Sequence, residues 1–405
     1  MRILFTTLGS PSHGRAQLPL ARALAAAGHE VLAATTPPIG SVFEHDDVRV
    51  TTPIDDVMPG ADVMPELVEI AGRTDLDEKE RNDLTLQVMS RSVAGGMARE
   101  LLGSLLPVAQ DFQPDLILRD GMDLASVLMG EKLGIPQLPT PSGTSNSLDP
   151  ADLLPHLNVL REELGLPTHE DPLSVVPRGR IDYVPPELSF SKYLPASWSY
   201  RQTVNVDRGS VLPRWVAELP TDRPLVFAAL GTALPMFQER QGSEEMPEMP
   251  FRMPDPNDSL RTIIEAVSRL DDCTAIVATM GIPVDTDGLP SHVHVAERLP
   301  QPLLLEAVDL FLTHGGFNSI REALRTATPV AVLPQFGDQH KNAQRIQELG
   351  LGRKVTESTP DGITGTCREV LADSAIGARA RRARMSMLAL PEIESAVADL
   401  EKLVG

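Results

Sequence analysis

The first 35 residues confine this chain to a small set of folds. An apolar run from Ile3 to Thr7 leads into a Gly/Pro/Ser turn. The segment AQLPLARALAAAG follows, with Leu18, Leu20, Ala21, Leu24 and Ala25 near helical spacing, and Gly28 stops it. A second apolar run, VLAAT (31–35), comes at once. Periodicity that switches from strand to helix to strand over so short a span predicts a βαβ unit, hence parallel strands joined by a right-handed crossover. DLILRD (115–120) reads as another buried strand, followed by a helix over 123–133 and the run LGIPQLPT.

The pattern then restarts. PLVFAALGT (224–232), CTAIVAT (273–279), DLFLTH (309–314) and PVAVLP (329–334) are short apolar runs that end in turn or polar residues. Helical segments at 259–269, 318–327 and 339–349 alternate with them. The chain of 405 residues therefore reads as two doubly wound α/β halves. RGSVLPRWVAELPTDRP, near 206–223, is expected to link them, giving domains over 1–205 and 224–385. Residues 386–405 form a helical tail after a break near Pro391. Residues 53–112 are mostly helical in pattern, and 233–258 hold five prolines without periodicity, as expected of a functional or disordered loop.

Charge excludes several partners. Lys and Arg total 36 against 56 Asp and Glu, a formal charge of −20. Such a surface repels nucleic-acid backbones and anionic membranes, so neither is expected as a partner. Any anionic ligand must be held by a local device. No apolar run approaches the ~20 residues that span a bilayer. The opening MRILFTTLGS lacks a secretory signal's long apolar core. Cys273 and Cys367 stand far apart and suggest neither a disulfide framework nor a zinc site. A cytoplasmic location fits these features.

The best local device is HGGFNS (314–319), after the strand DLFLTH and at the opening of a helix. Glycines let backbone approach a ligand, and free N–H groups at a helix start attract negative charge. His314, Gly316, Asn318 and Ser319 belong to it; the alternative is an ordinary βα turn with a capping Asn. There is no GxxxxGK[ST] loop and no GxGxxG after the first strand, so a phosphate is not held as in P-loop or dinucleotide enzymes. Gly231 and Thr232 end another strand on the same sheet edge, where open α/β sheets bind ligands. Asp338 and Gln339 follow PVAVLP on that edge, and their adjacent acceptor and donor groups suit sugar hydroxyls.

His13 is expected in the turn between the first strand and helix, and Asp120 at the end of DLILRD. A carboxylate behind a histidine fixes its tautomer and stabilises the charge it gains on taking a proton. Asp123 is the rival partner, although it more naturally caps the next helix. His29 and Cys273 read as structural. The DxD pairs Asp75–Asp77 and Asp285–Asp287 lie in polar stretches rather than at strand ends, so no metal site is assigned.

HVAERLPQPLLLEAVDLFLTHGGFNSIREALRTATPVAVLPQFGDQHKNAQRIQELGLG (294–352) resembles the donor signature of the family 1 glycosyltransferases of GT-B fold. It is most similar to that of actinobacterial transferases which decorate antibiotics and other secondary metabolites. SHGRAQLPLARALAAAGHEV and PDLILRDGMDLASVLMGEKLGIP resemble the family's N-terminal segments, with Ser12 and Ala16 where the family has Gly and Pro. The resemblance implies two Rossmann-like domains facing a cleft, the tail 386–405 crossing back to the first. It implies His13 as the base, oriented by Asp120. Gly231, Thr232, His314, Gly316, Asn318 and Ser319 would hold a diphosphate, and Asp338 and Gln339 the sugar. Arg298, with Leu299 beside it, stands where many relatives stack a Trp on the base. The implied activity is inverting, metal-independent and cofactor-free transfer of a sugar, as a deoxysugar on a thymidine diphosphate carrier, to a secondary-metabolite aglycone. A homodimer remains an open partner expectation. A nucleotide-sugar epimerase of the same fold and a non-catalytic activating partner are the alternatives.

Overall fold

In the computed structural model, residues 1–55, 60–195, 198–201, 208–232 and 254–405 are described. The stretch 233–253, most of the Pro-rich insertion, lies outside them, as do residues 206 and 207 of the expected linker. The chain divides into two compact units. One holds Met1–Thr203 and Leu390–Gly405; the other holds the residues described between 208 and 232 together with those of Arg252–Ala389.

The first unit is built on strands β1 (Arg2–Thr6), β2 (Glu30–Ala34), β3 (Arg49–Thr51), β4 (Leu116–Asp120) and β5 (Gln137–Thr140). They lie in the order β3-β2-β1-β4-β5, all parallel. Ile3, Leu4 and Phe5 of β1 and Leu116, Ile117 and Leu118 of β4 are completely buried, as strands covered on both faces must be. Each such side chain contributes on the order of 2 kcal/mol. The order places the topological switch between β1 and β4, since the chain leaves them toward opposite edges.

Helix Pro11–Ala26 joins β1 to β2, and it starts earlier than the sequence suggested. Ser10 is extended (φ −132°, ψ 163°) and Pro11 supplies a preset φ at the first helical position. His13 therefore sits in the first helical turn and not in the preceding loop. Gly14 weakens the helical signal in the sequence, but a Cβ there would stand 3.0 Å from Ile39 Cγ2. Residues 60–112 form helices Met64–Gly72, Glu78–Ala94 and Gly96–Phe112; the last buries Met97, Leu101 and Leu105 against helix Ala125–Leu133.

Two short strands, β6 (Ile181–Asp182) and β7 (Trp198–Ser199), pair beside this sheet. The tail returns to the same unit at Leu390, where the Arg201 N–H donates to the Pro391 carbonyl at 2.6 Å. Tyr200 Oη donates to Asp399 at 3.0 Å, and His29 lies 3.1 Å from Glu401 and 3.2 Å from the terminal amino group. Ile393, Ala396 and Leu400 are buried, and the segment packs on helix Pro11–Ala26.

The second unit carries β8 (Leu225–Ala229), β9 (Thr274–Ala278), β10 (Val293–Ala296), β11 (Leu310–Thr313), β12 (Val330–Val332) and β13 (Gly352–Lys354). Their order is β10-β9-β8-β11-β12-β13, again all parallel, with the switch between β8 and β11. β10 and β13 were not foreseen. Helix Pro256–Ser268 begins inside the segment read as insertion, because the Asp255 side chain caps it by accepting from Asn257 N at 2.8 Å.

Candidate functional site

Each sheet presents chemistry at its switch. In the first unit β1 stops at Thr6, Gly9 turns the chain at φ 81°, and the helix begins two residues later. A Cβ on Gly9 would stand 3.3 Å from His13 Cε1, so the turn wraps closely around the imidazole. His13 Nδ1 lies 2.8 Å from Oδ2 of Asp120, the last residue of β4. The histidine side chain is 21 % exposed and the carboxylate 2 %. Asp120 Oδ1 also accepts the Met122 N–H at 2.9 Å. Burial works against ionising Asp120, but the charge and hydrogen bond of His13 and the Met122 N–H together hold its pKa below the usual carboxylate value.

Asp123, the rival, is used elsewhere. It accepts from Ser126 N at 3.1 Å and from the Thr6 and Ser126 hydroxyls, just before and within the first turn of helix Ala125–Leu133. Its pKa is raised by burial.

In the second unit β8 ends at Ala229, slightly before the sequence suggested, so Gly231 and Thr232 lie in the loop beyond it. His314 follows β11, and helix Phe317–Thr326 opens behind Gly316, with the Ile320 N–H donating to the Gly316 carbonyl at 3.1 Å. The imidazole of His314 lies between two glycine backbones. A Cβ on Gly231 (φ 72°) would come within 2.3 Å of Cε1, and one on Gly316 within 2.4 Å of Nε2. Gly315, at φ 86°, is held by Thr313 Oγ1, which accepts its N–H at 3.3 Å, and by Asn342 Nδ2, which donates to its carbonyl at 2.9 Å. His314 is 8 % exposed, and burial lowers its pKa to about 4 against a smaller opposing effect of the Ala229 carbonyl. It is neutral at pH 7. The arrangement suits an anion: glycine backbone, a helix start and an imidazole converge at one switch.

Other predicted site residues fall at different distances from this loop. Asn318 Oδ1 accepts from Arg321 at 2.8 Å, and Gln301 Nε2 donates to Ser319 Oγ at 3.2 Å. Asp338 precedes helix Gln339–Leu349 on the same edge, its Oδ2 accepting from Asn342 Nδ2 at 2.7 Å. Gln339 is buried, and its carbonyl oxygen accepts the N–H groups of Gln335 at 2.8 Å and Phe336 at 3.2 Å. Its acceptor is thus committed to its own loop, leaving the amide nitrogen as the group that could reach a ligand. Arg298 is exposed beyond β10, 3.9 Å from Glu297, with Leu299 half-buried beside it. β10 is two strands from β8, roughly 10 Å along the sheet edge.

Asn342 and Thr313 hold the glycine loop at His314, and the sequence alone points to neither. Asn342 sits one turn after Asp338 on a polar helix start, a spacing that permits an i, i+4 bond. Three of the DxD aspartates are structurally occupied. Asp75 pairs with Arg73, Asp77 caps helix Glu78–Ala94, and Asp285 accepts the Asp287 N–H at 2.9 Å. Among the described residues no helix is long and apolar enough to cross a membrane. Cys273 and Cys367 are buried and free, each thiol pushed up to about 12 by burial.

Comparison with known proteins assigns the chain to a family and a fold. The sequence pattern of the family described as "Erythromycin biosynthesis protein CIII-like, N-terminal domain" matches residues 22–231, more than half of the chain, and that of its C-terminal domain matches residues 261–403. The 3-alpha-mycarosylerythronolide B desosaminyl transferase of Saccharopolyspora erythraea is 26% identical, over 100% of this chain and 99% of that protein. NDP-glycosyltransferase YjiC of Bacillus subtilis (strain 168) is 26% identical, over 80% of this chain and 79% of its own length. The solved structure of Spinosyn Rhamnosyltransferase SpnG superposes with a TM-score of 0.77 at 23% identity, covering 99% of this chain and 100% of that one. That protein has also been solved with thymidine diphosphate and with spinosyn aglycone. The two parallel sheets are those of the GT-B fold. The chain belongs to the erythromycin biosynthesis protein CIII-like family and is a glycosyltransferase resembling the actinobacterial sugar transferases of natural-product biosynthesis.

Proposed function

We propose that this glycosyltransferase moves a deoxysugar from a thymidine diphosphate carrier to a hydroxyl of a secondary-metabolite aglycone, with inversion and without a metal ion. The observation that carries this reading is the 2.8 Å bond from His13 to the buried Asp120. With Nδ1 engaged by the carboxylate, Nε2 accepts the proton of the acceptor hydroxyl as its oxygen attacks the anomeric carbon. The bond from that carbon to the β-phosphate oxygen breaks, and its electron pair leaves with the diphosphate. Asp120 stays ionised and stabilises the imidazolium. An epimerase has no need of a histidine base that faces an acceptor pocket.

Support for the donor half comes from the second switch. Gly231, Thr232, His314, Gly316, Asn318 and Ser319 would receive the diphosphate, where glycine backbone and a helix start offset its growing charge. Asp338 and the Gln339 amide would take sugar hydroxyls. The ~10 Å from β8 to β10 is comparable to the reach of a nucleoside, which favours Arg298 and Leu299 against the base. Thymidine is favoured by the thymidine diphosphate complex of the rhamnosyltransferase.

Mass spectrometry of reactions with a thymidine diphosphate sugar and a panel of polyketide aglycones tests the reading. Glycosylated product is expected from the native protein and not from His13→Ala. Thymidine diphosphate is expected to stabilise both against heat, by ~2.7 kcal/mol at 100 times its Kd.

A further inference from the structure

Helix Pro11–Ala26 carries a glutamine in an unusual place. Gln17 follows His13 by one turn and is 1% exposed, in a helix whose other buried residues are apolar or glycine. Its amide is fully bonded. Nε2 donates to the Thr6 carbonyl at 3.1 Å and to Thr140 Oγ1 at 2.8 Å, while Oε1 accepts the Thr7 hydroxyl. Thr140 Oγ1 in turn donates to the Arg119 carbonyl at 3.0 Å. Residue 140 is also the register partner of Asp120 across β4 and β5.

These bonds run from the turn of helix that bears His13, across the end of β1, to the residue before Asp120. A helix packed on a sheet through apolar contacts alone can slide and rotate by fractions of an ångström at little cost, because those contacts are non-directional. Three hydrogen bonds from one buried amide are directional, and leaving its partners unsatisfied is costly. The bond from His13 to Asp120 joins the same two elements that the Gln17 chain joins.

We propose that Gln17, through Thr140, is a positioning residue that fixes the register of His13 against Asp120 and so holds the imidazole in its Nδ1–H tautomer. The residue touches neither substrate nor the reacting atoms. This inference rests on the assignment of His13 as the base. A misplaced base costs rate and not donor affinity, so the Q17M variant should lose on the order of tenfold or more in kcat. Its affinity for thymidine diphosphate should be unchanged.

The test is nitrogen NMR of protein labelled at histidine, with the His13 signals assigned by their loss in His13→Ala. In the native protein the neutral ring should be mostly the Nδ1–H form; in Q17M the population should move toward Nε2–H, the form favoured by free histidine. T140V should move it the same way, and T140S, which keeps the hydroxyl, should match the native protein. Comparison at equal distance below each variant's Tm separates this from loss of fold. A native tautomer ratio in folded Q17M overturns the inference, whatever its stability. Full activity in His13→Ala would instead overturn the assignment beneath it.

Discussion

Gly231 lies against the imidazole of His314 so closely that a Cβ at position 231 would stand 2.3 Å from Cε1. Its φ of 72° is also a conformation that costs other residues ~1–2 kcal/mol. Gly231→Ala must therefore displace the ring or the loop. Titration calorimetry should show thymidine diphosphate affinity reduced by tenfold or more, with Tm lowered. Unchanged affinity would mean that the ring's position does not matter to the ligand.

Burial of His314 predicts a pH dependence of stability. Its pKa is lowered from 6.5 to about 4, chiefly by desolvation. The unfolded chain then binds more protons than the folded one across this window, so stability rises with pH there. The contribution is complete above 6.5 and is lost as pH falls toward about 4, on the order of 3 kcal/mol in all. Urea unfolding at several pH values should show this loss in the native protein and a flatter profile in His314→Gln. Parallel profiles would mean that His314 does not titrate in the window.

His13→Ala should reduce single-turnover transfer by ~10²-fold or more while leaving nucleotide affinity near normal. Asp120→Asn should act in the same direction, because the ring loses both its tautomer and its counter-charge. Rapid-quench rates on both variants check this, and an undiminished rate in either would remove that residue from the dyad.

The proposed diphosphate site needs no bridging ion if glycine backbone, His314 and the helix start at Gly316 carry the charge. Extensive EDTA dialysis should leave the transfer rate within twofold of the untreated protein, and added magnesium should not raise it. A rate abolished by EDTA and restored by magnesium would place a metal in the reaction.

Much of this was legible because parallel strands write their ends in the sequence: His314 and Asp120 stop apolar runs, and both stand at a switch. SHGR looks unlike a helix start and reads as a turn; Pro11 and the packing of Gly14 on Ile39 make it one, which puts His13 in the first helical turn. Gln17 was invisible for a different reason. A glutamine on an amphipathic helix reads as solvent-facing, and only the three-dimensional meeting of β1, β4 and β5 turns it inward. β10 and β13 escaped because short edge strands such as VHVA and GRK bury too little to leave an apolar run.

A single displacement driven by one base inverts the anomeric carbon, and the configuration of the product reads that out. A retaining double displacement needs a carboxylate positioned at the anomeric carbon to form a covalent intermediate. Asp338, the carboxylate proposed to meet the sugar, instead accepts from Asn342 Nδ2 at 2.7 Å. Proton NMR of the glycoside made from an α-linked thymidine diphosphate sugar reads the new anomeric coupling. A β-linked product is predicted; an α-linked product would contradict the mechanism.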